Sequence, residues 1–207
     1  MQAICSTFWR SSDCLARTES DEPSTLASVL TSMTLLELAQ QRHSPRAFDG
    51  SPIERADVER ALEVARLSSS SYNNQPWRFV VAHRGEPDFD ALLDTAVEAN
   101  RTWMQDAGAI VGIMASTVLE KTGETDHAAM FGVGMAVGAM ELALTEAGLA
   151  SMQAGGFDRK AFASLLGLDG TVVPISLLAI GRLPEGHEVP SKNRKSLSEL
   201  LLSVTRS

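Results

Sequence analysis

The run from Asp126 to Ala147 constrains the fold more than any other, because it carries the longest helical pattern in the chain on residues poorly suited to an isolated helix. Val133, Val137, Met140 and Leu144 make one apolar stripe, and Gly148 stands as a C-terminal stop. Gly132, Gly134 and Gly138 are interspersed with Ala136 and Ala139, and each Gly costs the helix up to about 1 kcal/mol relative to Ala. Close approach of another backbone best explains that cost. The segment therefore reads as a central packing helix in a subunit interface.

Helices and strands alternate around it. Thr34 to Glu37 fits the S/T-x-x-E capping box, with Leu35, Leu38 and Ala39 on one helical face, so a short helix delivers Arg42. Val58, Ala61, Leu62 and Ala65 predict an amphipathic helix from about Glu54 to Leu67. Trp77 to Ala82 reads as a strand, Phe89, Leu92, Leu93 and Ala96 mark a helix, and Ala109 to Ala115 is a second strand. Leu149 to Gln153 predicts a short strand, Arg159 to Leu166 a helix, and Val172 to Ile180 an apolar strand whose Pro174 disfavours a central ladder position. A final short helix follows Lys192, Arg194 and Lys195.

With 207 residues and 44% hydrophobic content, one well-buried α/β or α+β core is the default. A net charge of -8 argues against general nucleic-acid binding, so any basic site must be local. No run approaches the roughly 20 uninterrupted apolar residues of a membrane span. Both cysteines, Cys5 and Cys14, lie in a polar N-terminal stretch without a signal-peptide pattern. Residues 1–32 are expected to be a disordered N-terminal extension and residues 33–207 the functional domain, with the cytoplasm as the simplest compartment.

Four loops at element boundaries carry the candidate chemistry. In QRHSPRAFDG, Gln41 to Gly50, the extended spacing of Arg42, Ser44 and Arg46 offers guanidinium forks and a hydroxyl to an oxygen-rich anion; a solvated, serine-capped turn is the alternative. Asn73, Asn74 and Gln75 cluster amides that can pair with a heterocycle's carbonyls and NH groups, or simply turn the chain into a strand. Gly155 and Gly156 permit close backbone approach to a flat ring, or make an ordinary turn. Lys192 and Arg194, two apart on an extended segment, can face the same way, or form a solvated charge cluster. His43, His83, His127 and His187 are scattered without metal-ligand spacing, so no metal is expected. Ser70 and Ser71 lack a GxSxG elbow, and neither Walker A nor GxGxxG occurs.

Taken in order, RHSPRAF at Arg42 to Phe48, SSYNNQPWRFVVA at Ser70 to Ala82, GGFD at Gly155 to Asp158 and K-x-R at Lys192 to Arg194 resemble the motifs of the nitroreductase family of FMN-dependent oxidoreductases. The likeness covers nearly everything from Thr34 to Leu202. It implies an α+β fold, with a central, mostly antiparallel sheet flanked by helices, in an intertwined homodimer with FMN at the interface. Arg42, Ser44, Lys192 and Arg194 would then hold the phosphate and ribityl chain, with His43 a turn residue packing beside the ligand. Arg46 would lie near flavin N1 and O2, where its charge stabilises the reduced ring. Asn73, from the partner subunit in many members, would bond the pyrimidine edge, with Ser70, Ser71 and Gln75 as weaker candidates. The Gly155 amide would approach N5, and Gly156 would complete the turn.

The implied reaction is ping-pong: hydride passes from NADH or NADPH to FMN N5, and then to a nitroaromatic, quinone or similar small acceptor. The flavin performs the chemistry, so no catalytic side chain is required. Two alternatives stay open, a flavin-dependent dehydrogenase or oxidase of a biosynthetic intermediate and a non-catalytic flavin-binding protein. The chain departs from the family at Ser69, where proline is usual, and at Gly155, where several nitroreductases have Glu. The link from the Ala109 to Ala115 strand to the central helix is also short, which implies a compact member with a more open pocket.

Overall fold

Strand β2 (Ala109–Ser116) is buried along almost its whole length, so it must be covered on both faces, and the architecture follows from that demand. It pairs antiparallel with β1 (Trp77–His83) and with β4 (Val172–Gly181), and β4 pairs antiparallel with β3 (Ala150–Ala154), giving the order β1-β2-β4-β3. The structure, a computed structural model, describes residues 33–204; the expected extension over residues 1–32, with Cys5 and Cys14, lies outside them.

One face of the sheet presents Ala109, Val111 and Ile113 of β2 and Leu178 and Ile180 of β4. It is covered by α2 (Arg55–Arg66) through Val58, Ala61 and Ala65, and by α5 (Ala129–Glu146) through Val133, Val137, Met140 and Leu144. The other face packs on α3 (Pro87–Asp94), α4 (Glu98–Met104) and α6 (Arg159–Leu166), which contribute Phe89, Leu92, Trp103, Met104 and Phe162. Phe162 reaches the sheet because Gly112 has no side chain; a Cβ there would lie 2.6 Å from both the Phe162 ring and Val80. The result is an α+β fold with helices on both faces of an antiparallel sheet.

Local signals hold where they are strongest. The Thr34 capping box opens α1 (Leu35–Gln41): the Thr34 N–H donates to Glu37 at 2.6 Å and the Glu37 N–H to the Thr34 hydroxyl at 3.3 Å. Of the expected apolar face only Leu38 is buried, and Leu35 is 68% exposed. Helix α4 was not anticipated, because its seven residues carry no side-chain cap and too short a pattern. Contrary to the expectation for Pro174, β4 is a central strand. Pro174 pairs with Met114 just past a register shift, and β3 pairs only from Leu177 onward, so the missing N–H falls at an irregular stretch beyond the reach of β3. The last short helix, α7 (Leu197–Leu200), opens on a second capping box, Ser196 with Glu199.

Helix α5 is the one helix among the described residues long and apolar enough to cross a membrane, yet half of it is buried within this fold. A Cβ at Gly132 would stand 3.1 Å from Pro76, so one helix glycine answers to a close contact inside the chain. Among the described residues Gly134 and Gly138 meet nothing within 4 Å.

Candidate functional site

The segment from Arg42 to Arg46 is fixed at both ends. Arg42 caps α1, its N–H donating to the Leu38 carbonyl at 2.8 Å, and Phe48 is buried against Trp103 with ring centroids 6.3 Å apart. The Asp49 N–H donates to the Arg182 carbonyl at 3.0 Å, tying the segment to the strap that leaves β4. That strap carries Lys192, whose ammonium donates to the Ala39 carbonyl at 2.6 Å and also to the Arg42 carbonyl. Two of its three donors thus satisfy carbonyls at the end of α1, where a cation is favoured.

Arg42, Lys192 and Arg194 line one groove of about 500 Å³ together with Gly138 and Glu141 of α5. The Arg42 guanidinium is loosely held: Nη1 donates to Ser44 Oγ at 3.3 Å and lies 4.0 Å from Glu141 Oε1. A charge-assisted N–H···O bond is about 2.7–2.9 Å long, so the fork keeps donors for an external anion. Three cations share the groove with one carboxylate, in a chain of net charge -8. Desolvation, with Arg42 and Arg194 nearby, holds the Lys192 ammonium below its usual range. Burial pushes the Glu141 carboxyl up, partly opposed by Arg42 and Gln153. Arg194 donates to the Asn193 carbonyl at 2.9 Å, while Arg46 is exposed and not part of the groove lining.

His43 turns the other way. Its Nδ1 lies 3.2 Å from the Gln41 carbonyl, which requires the proton there, and its Nε2 lies 3.2 Å from His187 Nε2. This contact is a second clasp on the strap that brings Lys192.

The Ser70 to Gln75 loop forms a separate cluster. Tyr72, Asn73 and Gln75 have φ of 50°, 54° and 47°, left-handed backbone that such residues rarely adopt and that concentrates at binding sites. Ser70 Oγ accepts the Gln75 N–H at 2.9 Å, the Ser71 carbonyl accepts the Asn74 N–H at 2.9 Å, and the Gln75 amide donates to the Asn73 carbonyl at 3.3 Å. The Asn74 amide is used inside the chain: it donates to the Val118 carbonyl at 3.1 Å and Asp126 Oδ2 at 2.7 Å, and accepts the Glu120 N–H at 2.9 Å. Tyr72, Asn73 and Asn74 also line a cleft of about 390 Å³ beside Leu119 and Lys121.

One chain does not bring these two clusters together. Gly132 packs on Pro76, next to the second cluster, whereas Glu141 lines the first groove; positions 132 and 141 on α5 are about 13 Å apart along the axis at ~1.5 Å per residue. The Gly155 and Gly156 turn follows β3. The Gly156 carbonyl accepts the Val97 N–H at 3.1 Å and the Asn100 amide at 2.9 Å, and a Cβ there would stand 2.9 Å from Asn100. Gly155 is exposed, with nothing within 4 Å of where a side chain would begin.

The sequence motifs do not single out Glu141, and they offer Asn74 as a ligand amide where the fold uses it as an internal clasp. Glu141 had a signal, as the sole charged residue from Ala128 to Thr145. Asn74 had none that separates it from Asn73, because its partners are 44 to 52 residues away in sequence.

Known proteins bear on this arrangement. A profile described as the nitroreductase family matches residues 39–182. An oxygen-insensitive NAD(P)H nitroreductase of Enterobacter cloacae is 32% identical over 91 residues, a stretch spanning 42% of this chain and 42% of that protein. A Bacillus subtilis relative, YodC, is 24% identical over 80% of this chain and 96% of its own length. A crystal structure of an oxidoreductase containing FMN superposes with a TM-score of 0.75 at 25% identity, covering 82% of this chain and 91% of that one. A nitroreductase family protein of Clostridium difficile superposes with a TM-score of 0.69 at 24% identity, covering 84% of this chain and 100% of that one, and shares the fold. With its sheet order, its helix layers and a family match across most of its length, the chain belongs to the nitroreductase family.

Proposed function

We propose that the protein is an FMN-dependent NAD(P)H oxidoreductase that works as a homodimer and reduces a small acceptor such as a nitroaromatic or quinone. The cationic groove carries the proposal: Arg42, Lys192 and Arg194 converge with a single carboxylate between them, and the Arg42 fork is unsaturated. That donor set fits a phosphate monoester, so FMN fits the residues present. The names of the Enterobacter cloacae relative and of the FMN-containing structure point the same way. When bound, FMN would supply the redox chemistry, accepting hydride from NADH or NADPH and passing it to the acceptor.

The protein's own part is to bind and orient. Arg42, Ser44, Lys192 and Arg194 hold the phosphate and ribityl chain, while His43 steadies the strap from the other side. Arg46 places positive charge at the pyrimidine edge of the ring, and the Gly155 N–H serves the ring from the open turn. Asn73, supported by Ser70, Ser71 and Gln75, completes the site from the partner subunit. Two observations support the dimer: the two clusters lie at separate ends of α5, and Met130 and Phe131 on that helix are 52% and 74% exposed. Residues 33–207 form the flavin-binding domain in this scheme.

The test is an absorbance spectrum of the purified protein before and after anaerobic addition of each dinucleotide. Flavin bands should be present and should bleach. Absence of bound flavin, or flavin that neither NADH nor NADPH bleaches, would refute the proposal.

A further inference from the structure

Among the described residues Glu141 is the one carboxylate lining the cationic groove, and its surroundings set it apart. It lies on the buried side of α5, 8% exposed, next to Met140. Its nearest cation, Arg42 Nη1, is 4.0 Å away, too far for a charge-assisted hydrogen bond. On the sheet side, Gln153 of β3 acts with Arg42 to hold the carboxyl down against its burial, and Gln153 Oε1 accepts the Ser176 hydroxyl at 3.1 Å. The charged groups facing it come from two places, Arg42 at the end of α1 and Lys192 with Arg194 on the strap. β3 and β4 carry no charged residue, α2 supplies none of the described groove lining, and His43 faces His187 instead.

Resting on the reading that this groove holds a phosphate monoester, we propose that Glu141 is its internal counter-anion, and that docking of the phosphate on Arg42 is coupled to uptake of a proton by the Glu141 carboxylate. A dianion beside the guanidinium adds a like charge next to a carboxylate that already has little solvent, and both effects favour its protonated form. The proton comes from solvent and no bond in the ligand changes. Lys192 is depressed by desolvation and by crowding with Arg42 and Arg194, so it also gains proton affinity when an anion arrives. Substitution of Glu141 separates the two contributions. Glu141 is a positioning residue in this scheme, setting where and at what pH Arg42 is available.

The experiment titrates the flavin-free dimer with FMN, and with riboflavin as the phosphate-free control, from about pH 5.5 to 8.5, following flavin fluorescence. For wild type relative to Glu141→Gln, FMN affinity should rise as the pH falls, by up to about tenfold per pH unit where the slope is steepest. At the alkaline end Glu141→Gln should be the tighter binder. Taking the ratio to Glu141→Gln cancels the titration of the FMN phosphate itself, and riboflavin should show no such difference. Calorimetry in two buffers of different ionisation enthalpy should count more protons taken up per FMN by wild type than by Glu141→Gln. Glu141→Met, which fills the space without ionising, replaces the Gln variant if that one fails to fold. Parallel pH profiles, equal proton uptake, or the same difference with riboflavin would overturn the proposal. Failure of wild type to bind FMN at any pH would instead overturn the cofactor reading beneath it.

Discussion

Replacing Asn74 with Ala should destabilise the fold, although the residue sits among amides that look like ligand contacts. Its side chain joins two segments: the loop before β1 and the link between β2 and α5, through Val118, Glu120 and Asp126. A neutral hydrogen bond contributes about 0.5–1.5 kcal/mol net, and one to a charged group about 1.5–3 kcal/mol. The Glu120 N–H is exposed and can be rehydrated, so that bond counts at the low end. Asp126 is 7% exposed; it keeps the Ala128 N–H at 2.9 Å but loses its one side-chain donor among the described residues, so that bond counts at the high end. With about 0.5–1.5 kcal/mol for the Val118 carbonyl, the total is about 4–5 kcal/mol, or a fall of roughly 8–20 °C in Tm for a chain of this size. Urea unfolding and thermal melts at matched protein concentration measure it, with Asn73→Gly as the control. That variant removes the neighbouring amide and relieves the left-handed backbone at φ 54°, so it should keep wild-type stability while weakening FMN retention. An Asn74→Ala protein within about 0.5 kcal/mol of wild type, or an equal loss in Asn73→Gly, would refute this division of roles.

Arg42→Ala should weaken FMN binding at least about tenfold, the loss of one charged hydrogen-bond donor, whereas Arg46→Ala should keep occupancy and lower the flavin midpoint potential by about 30–60 mV. Unchanged occupancy and potential in both would reject those assignments. Gly112→Ala forces a Cβ to 2.6 Å from Phe162 and Val80 and should cost about 1–3 kcal/mol, and a Phe162→Leu partner change should recover part of it in a double-mutant cycle of unfolding free energies. In acid, Glu86 is held low by the His83 N–H and by Arg55, and Glu37 and Glu199 by their capping boxes, so the native state binds fewer protons there than the unfolded chain. Their stabilisation is complete above the ordinary glutamate value of 4.5 and is lost as pH falls below it; Glu86→Gln should flatten the acid limb of Tm against pH.

What could be read in advance follows the range of the interaction that decides it. The capping box at Thr34, the stripe from Val133 to Leu144 and α6, with Asp158 capping its start, are settled by neighbours within one or two turns, and they form where the pattern puts them. Pro174 misleads because its tolerance depends on how far β3 extends along β4, which is a property of pairing and not of composition. The groove shows the same split. Arg42 and Lys192 are recognisable as cations, but that Lys192 spends two donors on the end of α1 depends on a contact across some 150 residues. Glu141 and Asn74 belong with it, since each takes its meaning from groups that only the folded chain brings near.

Gly134 gives the dimer a test in which intrachain and interface effects have opposite signs. Among the described residues of one chain nothing lies within 4 Å of a Cβ at this position, the residue is exposed, and it sits mid-helix in α5. Helix propensity alone therefore predicts that Gly134→Leu stabilises an isolated subunit by up to about 1 kcal/mol. If a second copy lies against this face, the same side chain enters a backbone-to-backbone contact and separates the helices, at a cost of several times that gain. Sedimentation velocity and thermal melts over a range of protein concentrations distinguish the cases. Loss of the dimer together with loss of bound FMN is the expected result, because the cationic groove and the strained Tyr72 to Gln75 loop would no longer meet across the interface. A more stable Gly134→Leu protein with unaltered assembly would place the interface elsewhere and leave Gly134 and Gly138 without a reason.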